Sequence, residues 1–350
     1  MELYFLDRNF TAISLPVDTA VSVVWALRYH ECGSFTVVLP LTEGMPGSGE
    51  NSAVLLALAS QAVYLCDRER CGRIETLICR DGLLQLEGRL LECLLYDRVA
   101  SADTVYSGTA AEAVMAALGD WAEGLPLLVE DAMPVAGETA QYSMKAGDRL
   151  GKWIHETLAV SGASYTITMK DGRLFFALVT GTDRSLDSEP GVNRAIFSEE
   201  FGNIASLEEE LYREDAYSRI YVEGGDGTVV TVDRAETPEE RRESYKKAAD
   251  LRPEDYDTNE AYLAALTGRG EALLDAAGAR YRLSCIAEYD VEPRFGTDYG
   301  LGDICEIYSP ATAVRTAARL TALDVVQEGG MVRLYPCFGD SVIRLKTALA

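Results

Sequence analysis

The chain has 350 residues, 48% of them hydrophobic, enough to bury substantial cores and to divide into two or more domains. Its 56 acidic residues outnumber 32 basic ones, for a formal net charge of −24. With no large Lys/Arg cluster to neutralise phosphates, that balance excludes a nucleic-acid-binding role and docking on an anionic membrane.

The first residues, Met1-Glu2-Leu3-Tyr4-Phe5-Leu6-Asp7, lack a basic segment followed by a long apolar run, so no export signal is expected. His30 follows Trp25-Ala26-Leu27-Arg28-Tyr29 near a strand turn. Residues 44–51 form a Pro/Gly/Ser-rich loop, and the apolar run 53–65 is too short to cross a bilayer. Asp81-Gly82, Asp171-Gly172, Asp226-Gly227 and Gly329-Gly330 each separate two apolar, β-prone runs. Such dipeptides favour type I′ hairpin turns, so antiparallel sheet is the main theme.

Helices punctuate the strands. Thr109-Ala110-Ala111-Glu112 is a capping-box pattern, predicting a helix over 109–120. Asp148 is placed to cap a second helix over 148–160, with Leu150, Trp153, Ile154 and Leu158 on one face. Thr237-Pro238-Glu239-Glu240 predicts a polar, solvent-facing helix running to Ala249, and residues 259–277 predict a fourth. Residues 183–193 read as a linker and 234–257 as a charged connection. The fold class is therefore α+β and β-rich, in four segments. These are a β-barrel-like domain (1–105), an α/β domain (106–190), a β-rich connecting domain with a polar helix (191–257), and a C-terminal helix plus β domain (258–350).

Candidate chemistry is sparse. The eight cysteines, Cys32, Cys66, Cys71, Cys79, Cys93, Cys285, Cys305 and Cys337, include no C-x-x-C pair. Several lie within apolar runs, and with no export signal all eight are expected to be free thiols. If Arg80 pairs with Leu83 around the first hairpin turn, Cys71 and Cys93 point to opposite faces, which argues against a bridge between them. His30 and His155 are the only histidines and read as structural. Glu208-Glu209-Glu210 and Glu239-Glu240 read as solvated charge runs. Gly224-Gly225-Asp226-Gly227 lacks the Lys-Ser/Thr of a phosphate loop and joins two strands. No catalytic residue, cofactor site or metal site is expected, and the chain reads as a non-enzyme.

A pattern spread along the chain adds to this. Trp25-x-x-Arg28-Tyr29-x-x-Cys32-Gly33-Ser34-Phe35-x-Val37-x-Leu39-Pro40 resembles the start of the siphophage tail-hub (Gp37-like) family. Matches follow in order at Leu95-Tyr96-Asp97-Arg98, Tyr106-Ser107-Gly108-Thr109 and Thr180-Gly181-Thr182-Asp183-Arg184. Further matches are residues 197–204, Asp298-Tyr299-Gly300-Leu301-Gly302-Asp303, Arg319-Leu320-Thr321 and Pro336-x-Phe338-Gly339. The resemblance implies a hub similar to the central hub of contractile-tail baseplates. Each chain would give two β-barrel-like domains to a tube and pack α/β domains outside it. Three chains would form a ring below the hexameric tail tube, around a channel that DNA passes without specific binding. The implied partners are further copies of the chain in a homotrimer, the distal tail protein, the tail tube and the tape-measure protein. The implied place is the virion tail tip, after assembly in the host bacterial cytoplasm. The C-terminal fibre or cell-wall hydrolase module of larger relatives is expected to be missing. Two other readings compete: a tail-associated carbohydrate-binding or adhesion β-protein, which the eighteen tyrosines would permit, and a cell-wall hydrolase, which would need convergent carboxylates or a metal.

Overall fold

The computed structural model describes residues 2–41, 52–130, 137–214, 216–278, 280–312 and 314–342. Strands β1 (Tyr4–Leu6), β2 (Ser22–Arg28) and β3 (Ser34–Pro40) come first, then helix α1 (Ser52–Gln61). β4 (Tyr64–Cys66), β5 (Cys71–Arg80), β6 (Leu83–Leu90) and the short α2 (Cys93–Tyr96) follow. Next are β7 (Thr104–Gly108), α3 (Ala110–Trp121), β8 (Leu127–Val129), β9 (Ala140–Met144), α4 (Leu150–Ala159), β10 (Ala163–Lys170) and β11 (Arg173–Thr180). β12 (Ile196–Ser198), β13 (Ile204–Tyr212), β14 (Arg219–Gly224), β15 (Val229–Asp233), β16 (Glu243–Ala248) and α5 (Asn259–Ala276) lead to β17 (Arg280–Glu288). The last three strands are β18 (Ile304–Ser309), β19 (Val314–Glu328) and β20 (Met331–Val342).

Contacts divide the chain into two compact units. One joins Met1–Leu207 to Ser284–Phe338, and the other centres on Glu208–Leu283. The four segments expected from sequence are thus distributed over two units, the first of which is completed by strands from the far end of the chain.

The first unit is built on an antiparallel sheet in the order β1-β4-β5-β6-β3-β2-β19-β20. Strict alternation along β3 and β6 puts Phe35, Val37, Leu39, Leu84 and Leu86 on one buried face, beside Val23 and Trp25 from β2 and Leu323 and Val325 from β19. The fifteen-residue β19 serves three ladders. Its first part pairs with β18, Ala322–Glu328 pairs with β2, and Leu320–Glu328 pairs with β20 across an irregularity between Leu320 and Ala322. No sheet closes on itself among the described residues, so the barrel-like N-terminal domain expected from sequence is seen as part of an open sheet. A second core gathers α3, α4, the β7–β9 pair and the β10-β11-β8 sheet around Val114, Ile154, Leu158 and Phe176.

In the second unit, β14 pairs antiparallel with β15 and parallel with β16. Ile220, Val222 and Ala248 meet Tyr262, Leu266 and Leu274 of α5 in its core.

Local signals set several of these elements. Both central residues of the turns at Asp81-Gly82, Asp171-Gly172 and Gly329-Gly330 have positive φ, as type I′ requires. At the fourth hairpin only Gly227 does; Gly227 donates to the Gly224 carbonyl, giving a three-residue loop instead. Thr109 and Glu112 close the capping box in both directions.

Other expectations are corrected. The polar helix over 237–249 is absent: Pro238–Glu240 makes one 3-10 turn and Glu243–Ala248 is strand β16. There the ladder to β14 outweighs local helix preference. Asp148 does not cap α4. Its carboxylate accepts the Lys145 N–H and closes the preceding turn, and Arg149 holds the cap position without a side-chain bond. Residues 183–193 are not a free linker, because Asp183 bridges to Ile304 and the Arg184 N–H donates to the Ile304 carbonyl. Nor are all eight cysteines free: Cys66 and Cys71 are disulfide-bonded. They lie directly opposite one another where β4 pairs with β5, a proximity that reading each cysteine in its own apolar run did not capture. The loop expected over 44–51 lies outside the described residues.

Candidate functional site

Residues of four motifs, scattered along the sequence, converge at one place in the first unit. Tyr29 leaves the end of β2 and is 2% exposed. Its hydroxyl lies 3.0 Å from the Gly162 carbonyl and 3.3 Å from that of Val179, and it accepts the Gly181 N–H at 3.2 Å. One tyrosine therefore ties β2 to the α4–β10 turn and to the end of β11. The Arg319 guanidinium sits 5.6 Å from the Tyr29 ring and donates to the Gly302 carbonyl at 2.5 Å. Burial pushes the Tyr29 hydroxyl above its ordinary pKa, against the opposing pull of Arg319.

Two glycines let these segments approach. Gly302 has φ +92°, and a Cβ there would lie 2.2 Å from the Tyr29 ring. A Cβ on Gly181 would meet the Gly302 carbonyl oxygen at 1.7 Å. Beside them Asp303 accepts the Thr182 N–H at 2.7 Å, the Gly300 N–H at 2.8 Å and Arg184 Nε at 2.6 Å. Gly181-Thr182-Asp183-Arg184 and Gly300-Leu301-Gly302-Asp303 are thus the two halves of one interlock.

The remaining motifs are also structural. Trp25 is fully buried against Phe35, with ring centroids 5.3 Å apart. Arg28 pairs with Asp324 of β19 at 2.6 Å. Arg73 and Arg89, directly opposite on β5 and β6, are held together by Glu75 and Asp97 at 2.6–3.0 Å. That is the task of Asp97 in Leu95-Tyr96-Asp97-Arg98. Asn203 accepts the Ser198 N–H and donates to the Ile196 and Glu292 carbonyls, fixing the turn at residues 197–204.

The histidines are equally engaged. His155 is 1% exposed, bonded through Nδ1 to the Tyr96 hydroxyl at 2.8 Å and stacked on Tyr165. Burial depresses it to about 3, so it is neutral. His30 Nε2 lies 3.1 Å from the Ala163 carbonyl. Asp226, in the glycine-rich turn, accepts from Tyr262 and Thr228, which hold it down to about 2. Among the described residues, no three His, Cys, Asp or Glu side chains gather as metal ligands would.

Sequence reasoning missed the buried carboxylates. Glu306 is 3% exposed, bonded to the Leu186 N–H and to Arg315. The Glu92 carboxyl accepts from Thr166 and the Ile167 N–H, and burial raises it above the usual carboxylate range. Nothing in the flanking residues marks either one, because their partners lie on distant segments. Glu92 also borders a cavity of about 380 Å³ between the end of β2, the Asp67–Arg70 turn and β10. Its three arginines are each paired, Arg70 with Asp67 of the same wall, Arg28 with Asp324 and Arg68 with Glu2.

The fold is shared with phage tail proteins. The prophage MuSo2 43 kDa tail protein from Shewanella oneidensis matches with a TM-score of 0.60 at 10% identity, covering 97% of this chain and 98% of that one. A tail protein from Neisseria meningitidis MC58 matches at 0.61 and 11% identity, over 97% and 96% of the two chains. Prophage tail protein gp18 from Listeria monocytogenes EGD-e matches at 0.56 and 11%, over 98% and 95%. No curated protein matches significantly. A family model matches residues 1–340, nearly the whole chain and every motif that meets at Tyr29, and the chain therefore belongs to the Siphovirus ReqiPepy6 Gp37-like protein family.

Proposed function

We propose that this tail protein is a structural subunit of the tail tip, forming the baseplate hub below the tail tube and enclosing a channel for DNA. The observation that carries the reading is the junction at Tyr29. There the polar groups of Tyr29, Asp303, Arg184 and Arg319 hold backbone segments together. Such an arrangement suits a part that must keep its shape under load. On this reading the chain is not an enzyme and needs no cofactor. Its partners are two further copies in a threefold ring, the distal tail protein, the tail tube and the tape-measure protein. A closed ring is the usual way to match a rotationally symmetric tube, and two tube-lining sheet segments per chain would meet six positions with three copies. The net charge of −24 supports passage of DNA without retention.

Cryo-electron microscopy of particles, with the chain located by a gold-labelled antibody, tests the proposal. Three copies at the tip are expected. A position along the tail shaft, or six copies per tip, would overturn it.

A further inference from the structure

Over residues 76–80 the β5–β6 hairpin carries a strand edge that no other described strand pairs with. β4 pairs with β5 only over Cys71–Arg73, and the ladder is irregular between Ile74 and Thr76. Beyond that point β5 pairs with β6 alone, and Thr76, Ile78, Cys79 and Arg80 are exposed. Arg80 and Leu83 flank a two-residue turn, so the backbone groups of Arg80 and Ile78 face β6. Those of Leu77 and Cys79 then point to the open side, where no described strand pairs with them.

Open edges are normally blunted by lysine, proline, a bulge or a covering segment, because they template pairing with another chain. Over 76–80 this edge has no proline, no lysine and no bulge, and its side chains are Thr76, Leu77, Ile78, Cys79 and Arg80. Ile78 is 41% exposed and Leu83, across the hairpin tip, 39%. The single charge is matched by Asp81, bonded to Arg80 at 3.1 Å. In a chain of net charge −24, this edge is locally neutral, so a second, equally acidic copy can approach it.

The edge is also self-complementary. Antiparallel addition about a two-fold axis at Ile78 sets Leu77 opposite Cys79 of the second copy, twice. These are the residues whose N–H and C=O groups point outward, so four backbone hydrogen bonds form. The two Ile78 side chains then meet as a directly opposed pair, and within residues 76–80 no like charges face each other. We propose that the free chain forms a two-fold dimer by pairing the β5 edges of two copies. Such a dimer covers the edge until another partner takes it, and its small contact makes it weak and reversible. The inference is independent of the hub reading.

Sedimentation velocity over a concentration series of the full chain, in reducing buffer, tests it. A reversible monomer–dimer equilibrium is expected. Ile78→Lys and Ile78→Glu place like charges directly opposite each other at the axis, so each alone should weaken dimerisation about tenfold or more. An equimolar mixture of the two variants should recover it. Ile78 is exposed, and both variants should melt as the unaltered chain does. A chain that stays monomeric at every concentration overturns the proposal. So does a dimer that neither variant weakens, or a mixture that fails to recover it.

Discussion

Replacing Tyr29 by phenylalanine removes one oxygen and leaves the ring in place against Gly302 and Arg319. The lost groups are one acceptor, used by the Gly181 N–H at 3.2 Å, and one donor, directed at the Gly162 or Val179 carbonyl. Each net hydrogen bond contributes about 1 kcal/mol, and an amide left buried without a partner adds roughly 1 more. The variant should therefore lose about 2–3 kcal/mol, read in denaturant melts at constant slope. For a unit of this size that corresponds to a Tm about 4–6 °C lower. Tyr245→Phe, on the exposed face of the second unit, is the control and should change stability by less than about 0.5 kcal/mol. A loss below about 0.5 kcal/mol at Tyr29 as well would refute the reasoning, because water would then be serving the Gly181 amide and the junction would not depend on the hydroxyl.

Trp25→Ala should cost about 3–5 kcal/mol in the same melts, since the ring is fully buried beside Phe35. Gly302→Ala should be at least as damaging as Tyr29→Phe, because the new Cβ meets the Tyr29 ring at a positive φ; near-neutral behaviour would mean that the ring moves freely. Thiol titration in denaturant, without reductant, should recover the six cysteines that are free and not eight. A raised folded-state pKa at Tyr29 favours the neutral form, so its stabilisation is full below the unfolded tyrosine value of about 10 and is lost as pH rises above it. Melts from pH 8 to 11 should accordingly show a shallower alkaline decline for Tyr29→Phe than for the unaltered chain.

What could be read from the sequence was what neighbours decide. Asp81-Gly82 and Asp171-Gly172 announce their turns because the dipeptide itself supplies the positive φ values. Thr109 and Glu112 cap a helix from within four residues. The failures share an opposite cause. Residues 243–248 became a strand because β14 offered them a ladder, and Asp148 was drawn to the Lys145 amide before it could cap α4. The family motifs were legible as a list, but not as a place. Nothing near Gly181 shows that Gly302 will lie against it, or that both will close around Tyr29. Glu92 and Glu306 stayed invisible among 56 acidic residues, since burial is decided by segments far away in the chain.

The placement of β19 beside β2 also bears on synthesis. Trp25 lies opposite Val325, about 300 residues later. At roughly 5–20 residues per second, a ribosome leaves the β2 flank of the sheet without its neighbour for about 15–60 s. Throughout that time the nascent chain exposes an apolar strand with free backbone groups. The α3, α4, β10 and β11 layer, whose core residues all lie between Leu6 and Leu178, can settle early. The central sheet can close only after the last hairpin has left the exit tunnel. A truncated or stalled product should therefore keep a folded middle and an unsatisfied sheet flank, a species fit for capture by chaperones and unfit for assembly into a tail.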